Sequence, residues 1–148
     1  MQKNDLAYDF TLKDQDGNDR ALSAMVKDGP VVLFFYPAAL SAGCTKESCH
    51  FRDLNAEFAS LGAQPVGISM DSADRQAQFS KRNHFDFPLL TDQDGEVARH
   101  YGVRRALGFL KVKRATFVID PDMRVREVIH SEVNMNSHAD RALEALRA

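Results

Sequence analysis

Short apolar runs alternate with turn signals along the whole chain. Val31-Val32-Leu33-Phe34-Phe35-Tyr36 is continuous, β-branched and aromatic. That pattern predicts a central strand buried on both faces, ended by Pro37, which cannot continue a sheet ladder. Phe51, Leu54, Phe58 and Leu61 then recur at i, i+3, i+7 and i+10. This period predicts one face of a helix that begins near Cys44 and is closed at Gly62 by a C-terminal cap. Shorter signals fill the rest: a strand at Phe10–Leu12 before the turn Asp14–Gly17, and a strand over Pro65–Ser69. They continue with a helix over Ala73–Arg82, an extended Phe87–Leu90 and a helix near Gly95–Tyr101. Strands Ala115–Asp120 and Val125–Ile129 follow, joined by Asp120-Pro121-Asp122. Ser137 is placed as the cap of a last helix with Ala139, Leu143 and Leu146 on its apolar face.

Strands alternating with helices and ending in a late hairpin predict an α/β domain with a mixed central sheet and helices on both faces. A thioredoxin-like fold satisfies this pattern. No repeat, linker or low-complexity tract divides residues 1–148, so a single domain is expected. A formal net charge of -2 gives no broad basic field for nucleic acid or an anionic membrane. Met1–Phe10 carries Lys3, Asp5 and Asp9 rather than an apolar leader core, and Val31–Tyr36 is too short to span a bilayer. A cytoplasmic location is the expectation.

There are only two cysteines, Cys44 and Cys49. In a reducing compartment a structural disulfide is disfavoured, so such a close pair is either buried packing or redox chemistry. Cys44 falls where a buried strand gives way to a helix, in the predicted first helical turn. Ligands of open α/β sheets gather at that end of the strands, and a helix N-terminus favours an anion. The thiolate is the reactive form of cysteine.

Thiolate formation alone supplies little rate. Moving a thiol pKa from ~8.5 to about 6 raises the thiolate fraction roughly thirtyfold. A Brønsted slope of ~0.4–0.5 returns about tenfold of that. A specialised enzyme must therefore stabilise charge as it develops on the leaving atom. Ser41 offers a hydroxyl, the Gly43–Cys44 turn offers N–H groups, and a guanidinium would be the strongest addition. Pro37 has no N–H and could wall the pocket. On an intact helix, Cys44 and Cys49 would lie about 140° apart with Cα atoms ~8–9 Å distant. A disulfide spans ~4.4–6.8 Å, so bonding the pair would require the start of the helix to unwind.

The residues also resemble a known family. Pro37, Ser41 and Cys44 match the peroxiredoxin motif of proline, three residues, threonine or serine, two residues, cysteine. The run Cys44-Thr45-Lys46-Glu47-Ser48-Cys49-His50-Phe51-Arg52-Asp53 is similar to the bacterioferritin comigratory protein, or Q-type, peroxiredoxins. Gly67–Ser72, Phe87–Asp92, Tyr101–Val103 and Arg114–Asp120 match in the same order. The resemblance implies a thioredoxin-like fold and reduction of hydrogen peroxide and alkyl hydroperoxides without metal or organic cofactor. It implies Cys44 as peroxidatic cysteine, Cys49 as resolving cysteine through an intramolecular disulfide, and Arg114 as the guanidinium against Cys44. Thioredoxin or a similar dithiol would be the reductant, and the group includes monomers and homodimers. Ala42 departs from the proline that many members carry before Gly43.

Plainer readings stand beside these. Cys44 and Cys49 could be core packing, and Arg114 a surface charge at a strand start. A thiol–disulfide oxidoreductase is the main competing function, although such enzymes use Cys-x-x-Cys and four residues separate these cysteines. A redox sensor without turnover is another. The five histidines show no metal-ligand spacing and are read as surface or structural. Arg104, Arg105, Lys111 and Lys113 are read as a solvated basic loop.

Overall fold

The computed structural model describes residues 1–108 and 111–148. In chain order the elements are β1 (Thr11–Lys13), β2 (Asp19–Ala21), α1 (Leu22–Met25), β3 (Val31–Phe35), α2 (Ala42–Asp53) and α3 (Asn55–Ser60). They continue as β4 (Gln64–Ser69), α4 (Ala73–Asn83), β5 (Leu89–Thr91), α5 (Glu96–His100), β6 (Ala115–Ile119), β7 (Val125–His130) and α6 (Asn136–Arg147). One seven-stranded sheet runs β2-β1-β5-β4-β3-β6-β7. β3 pairs in parallel with β4 and antiparallel with β6, which makes the sheet mixed as expected.

The uninterrupted apolar run of β3 has the predicted consequence. Val31, Leu33 and Phe35 join one core with α1 and α5, while Val32, Phe34 and Tyr36 join the other with α2, α3, α4 and α6. Every residue of β3 is buried. Successive strand side chains point to opposite faces, so a strand covered on both sides must be apolar throughout. Beside it, Gly67 of β4 admits a close approach: a Cβ there would sit 2.7 Å from Leu89 and 3.0 Å from Phe34.

Four sequence expectations need correction. The helix predicted from Cys44 to Leu61 is two helices, because Leu54 leaves helical geometry at ψ 6°. Phe51 and Phe58 still face the same core, so the apolar period passes over the break. Gly62 does close the second helix, with φ +72° and the Ala63 N–H donating to Phe58 O at 2.9 Å. Ser137 is not the cap of α6 but lies in its first turn, where its N–H donates to Asn134 Oδ1 at 3.3 Å. β2 and α1 went unseen, since three residues of strand and four of helix leave no countable period. Of the basic residues read as a solvated loop, Arg104, Lys111 and Lys113 are exposed as expected, but the described chain there is not free: Arg104 bridges Val112, Arg105 N–H donates to Lys111 O at 2.7 Å, and Val112 is buried. Phe109 and Leu110 lie outside the described residues.

An aromatic stack fastens α2 to the sheet. Phe51 lies face to face with Phe34 at 4.2 Å between ring centroids, and Phe58 extends the stack at 5.8 Å. Phe51 is fully buried. Phe51→Ala is expected to cost about 3–5 kcal/mol in urea-induced unfolding; a loss below about 1 kcal/mol would show that α2 is held by something else.

Candidate active site

Cys44 is positioned by the end of β3. Tyr36 N–H donates to Ile68 O at 3.1 Å, which carries the β3–β4 pairing one residue past the strand. Pro37 follows, half-buried, and the chain leaves the sheet. The loop is then pinned from the β4–α4 turn and the first turn of α4: Asp71 Oδ2 accepts from Ala39 N–H at 2.7 Å and from the Ser69 hydroxyl at 2.6 Å, and Arg75 Nη2 donates to Ala39 O at 3.1 Å. Leu40 sits at φ +68°, an uncommon conformation for a branched residue and one that needs such bracing.

Ser41 is the N-cap of α2. Its Oγ accepts from Cys44 N–H at 3.4 Å and its hydroxyl donates to Ala38 O at 2.8 Å. The predicted hydroxyl is therefore beside Cys44, but its proton is used within the loop. Cys44 falls in the first turn and is completely buried.

Arg114 reaches it from β6, 70 residues away in sequence. Phe35 pairs with Ala115, and continuing that antiparallel register sets Arg114 opposite Tyr36, at the carboxyl end of β3. Arg114 Nη2 donates to Cys44 Sγ at 3.3 Å and Nη1 donates to Glu47 Oε1 at 2.8 Å. Only 6% of Arg114 is exposed. Burial pulls its pKa down, but Glu47 and Cys44 outweigh burial and the net shift is upward, so the guanidinium keeps its charge. Gly43 leaves room for it: a Cβ there would lie 3.3 Å from Arg114 Nη2.

Glu47 was not singled out from the sequence. It is fully buried, and burial pushes its carboxyl up to about 8 against the opposing pull of Arg114. The usable signal was spacing. Cys44, Glu47, Ser48 and Phe51 fall at i, i+3, i+4 and i+7, which put an acid on the buried stripe of α2. His138 of α6 closes the far side, with Nε2 3.5 Å from Glu47 Oε2. Nε2 also lies 2.8 Å from Ser131 O, and Nδ1 lies 2.8 Å from Thr116 Oγ1. A carbonyl only accepts, so Nε2 carries the proton and Nδ1 accepts from the Thr116 hydroxyl. Burial first, with Arg114 and His130 adding, lowers the His138 pKa to about 4, and the ring is neutral.

Cys49 lies on the same intact helix, half-buried, with Sγ 3.6 Å from Asn83 Oδ1. Both cysteines are free. A wound helix with two free thiols is what the spacing argument expects of the reduced form. Among the described residues no cluster of histidine, cysteine, aspartate and glutamate could hold a metal ion.

The neutrality of His138 has a measurable sign. In the unfolded chain an imidazole takes its proton near pH 6.5, in the folded protein only near pH 4. Between those values the unfolded state binds more protons, so this group's contribution is present above pH 6.5 and lost as pH falls. His138→Gln is expected to flatten the decline of the urea midpoint between pH 6.5 and 4; parallel declines in variant and wild type would remove His138 from that account.

The fold and site can be set beside known proteins. The AhpC/TSA family model matches residues 4–128. The crystal structure of peroxidoxin BcpB from Mycobacterium tuberculosis superposes with a TM-score of 0.95 at 54% identity, covering 99% of this chain and 97% of that one. Chloroplastic peroxiredoxin Q of Sedum lineare is 39% identical over 139 residues, 94% of this chain and 74% of its own length. The bacterioferritin comigratory protein of Xanthomonas campestris is 31% identical with a TM-score of 0.85, covering 93% of this chain and 90% of that one. With a buried cysteine at a helix start and a guanidinium against its sulfur, on a mixed thioredoxin-like sheet, this chain belongs to the AhpC/TSA family and is a thiol peroxidase of the Q-type peroxiredoxins.

Proposed function

We propose that Cys44 is the peroxidatic nucleophile, Arg114 its electrostatic partner and Cys49 the resolving thiol. The observation that carries this reading is the 3.3 Å contact from Arg114 Nη2 to the sulfur of a fully buried cysteine at the start of α2. The Cys44 thiolate attacks the terminal peroxide oxygen. An S–O bond forms, the O–O bond breaks, and the leaving alkoxide or hydroxide takes a proton to become alcohol or water. Cys44 is left as sulfenic acid. Arg114 lies where charge builds during this step, in a site closed to water, where such a donor acts most strongly. Pro37 walls the pocket, and Ser41 fixes the first turn of α2 and the loop before it.

Cys49 then attacks the Cys44 sulfur. An S–S bond forms, the S–O bond breaks, and water leaves with the thiol proton. At ~8–9 Å between Cα atoms on the wound helix this cannot occur in place, so the first turns of α2 unwind. Substrates are peroxides and the reductant is a thiol. Within those classes, hydrogen peroxide and alkyl hydroperoxides on one side and thioredoxin or a similar dithiol on the other fit the pair of cysteines. The structure from Xanthomonas campestris is described through its alkyl peroxide reduction activity, which supports the broader substrate range. We place the reaction in the cytoplasm, in a monomer or homodimer, with one domain over residues 1–148, no cofactor, and neither nucleic acid nor membrane as a partner. Among the described residues no helix is long and apolar enough to cross a membrane.

The test is peroxide consumption with a thioredoxin system. Wild type is expected to cycle, Cys44→Ser to be inactive, and Cys49→Ser to react once and then stall. Turnover by Cys44→Ser would overturn the assignment of the nucleophile. Arg114→Met is expected to slow the single-turnover oxidation of Cys44 by about 10²–10³, the cost of removing one donor from a developing anion. A loss below tenfold would leave Arg114 a structural role only.

A further inference from the structure

Helix α2 is held at both ends, and the two holds differ in kind. At its start Arg114 grips Cys44 and Glu47. Near its end the grip comes from the last residue of α4. Arg52 Nη1 donates to Asn83 O at 2.8 Å, which satisfies a carbonyl that the helix end leaves without an intrahelical donor. His84 follows in the left-handed conformation at φ +57° and turns the chain away. The Asn83 side chain faces the other way along α2, with Oδ1 3.6 Å from Cys49 Sγ.

The orientation of that amide is fixed. Nδ2 donates to Phe79 O at 3.0 Å, so Oδ1, not the NH₂ group, meets the sulfur. An amide oxygen only accepts, so it pairs with a protonated thiol and repels a thiolate. The surroundings act in the same direction: burial first, with Asp53 adding and Arg52 opposing, pushes the Cys49 thiol up. The thiolate is the form that attacks.

We propose that Asn83 is a positioning residue for the resolving thiol. It holds Cys49 protonated against α4 while α2 is wound, and so sets how fast the Cys44 sulfenic acid is resolved. This rests on the roles given above to Cys44 and Cys49. The rate matters because a second peroxide competes for the same sulfur. In resolution, Cys49 forms the S–S bond and water departs. In the competing step the sulfenate attacks a further peroxide, a second S–O bond forms, the O–O bond breaks, and Cys44 becomes sulfinic acid while water or alcohol leaves. Slow release of Cys49 from Asn83 lengthens the exposure of Cys44 to that reaction.

Asn83→Ala removes the acceptor but keeps the main-chain carbonyl that Arg52 binds; Asn83→Asp gives up the bond to Phe79 O, as Asn83→Ala does, but keeps an acceptor oxygen near Cys49 and adds a negative charge that disfavours the thiolate. Stopped-flow single turnovers with hydrogen peroxide separate oxidation of Cys44 from disulfide formation, and mass spectrometry reads sulfinic acid at Cys44. Asn83→Ala is expected to oxidise Cys44 at the wild-type rate, to form the disulfide about two- to tenfold faster, and to accumulate less sulfinic acid. Asn83→Asp is expected to resolve at or below the wild-type rate. Unchanged or slower resolution in Asn83→Ala, or equal acceleration in both variants, would overturn the proposal. Iodoacetamide alkylation of Cys49 in a Cys44→Ser background gives a readout free of peroxide chemistry. A rise of about two- to tenfold with Asn83→Ala is expected there, and no rise counts against the hold. If wild type oxidises Cys44 yet never forms the disulfide while alkylation does respond to Asn83→Ala, it is the resolving role of Cys49 that fails and not the contact.

Discussion

A guanidinium shut away from water between a sulfur and a buried carboxyl group governs the design of this protein. Taking Arg114 out of solvent is costly, and leaving it there without a partner would be more so. Glu47 Oε1 at 2.8 Å offsets that cost and leaves the second nitrogen, Nη2, to face Cys44. Removal of Glu47 would leave the buried guanidinium without its oxygen acceptor. In the proposed mechanism the same low-dielectric surroundings make the arginine effective beside the sulfur of Cys44. Stability and reactivity here use one set of atoms.

The sheet brings this set together from three parts of the chain. β3 delivers the loop and α2, which carry Cys44 and Glu47. β6, antiparallel to β3, delivers Arg114 at the same end of the sheet. α6 packs across β6 and β7 and closes the space behind Glu47 with the neutral His138. Gly43 contributes by having no side chain, since a methyl group there would crowd Arg114 Nη2.

α2 belongs to both the core and the reaction, and its two halves divide the work. Phe51 stacks on Phe34 and anchors the later turns, while the first turn is held by polar contacts to Ser41 and Arg114. Apolar stacking does not depend on the oxidation state of a sulfur. In the proposed mechanism the contact from Arg114 to the Cys44 sulfur does, and it weakens once Cys44 is oxidised. On that reading α2 loosens from the end that carries Cys44.

How much of this was legible depends on the distance in sequence over which each feature acts. β3, the helix start near Cys44 and the α/β class are local, written in a run of six apolar residues and a change of period; that Ser41 caps the helix is seen only in the structure. Even there, Leu54 was hidden, because an apolar period is preserved when a helix kinks without rotating its face. Ser137 was misassigned for a related reason: Asn134, Ser131 and Ser137 all offer capping groups, and only the path of the chain decides which is used. Arg114 could be named through the resemblance alone, for nothing in residues 104–120 says that it is buried.

By itself the sequence determined the sheet-forming core, the two cysteines and the spacing that keeps them apart on a wound helix. Only the tertiary structure decided that Glu47 pairs with Arg114, that His138 is a neutral wedge behind them, and that Asn83 faces Cys49. Local elements follow from periodicity and capping, which act over a few residues. Burial, and the ionisation and orientation it imposes, arises only when segments 34 to 91 residues apart close over the same space.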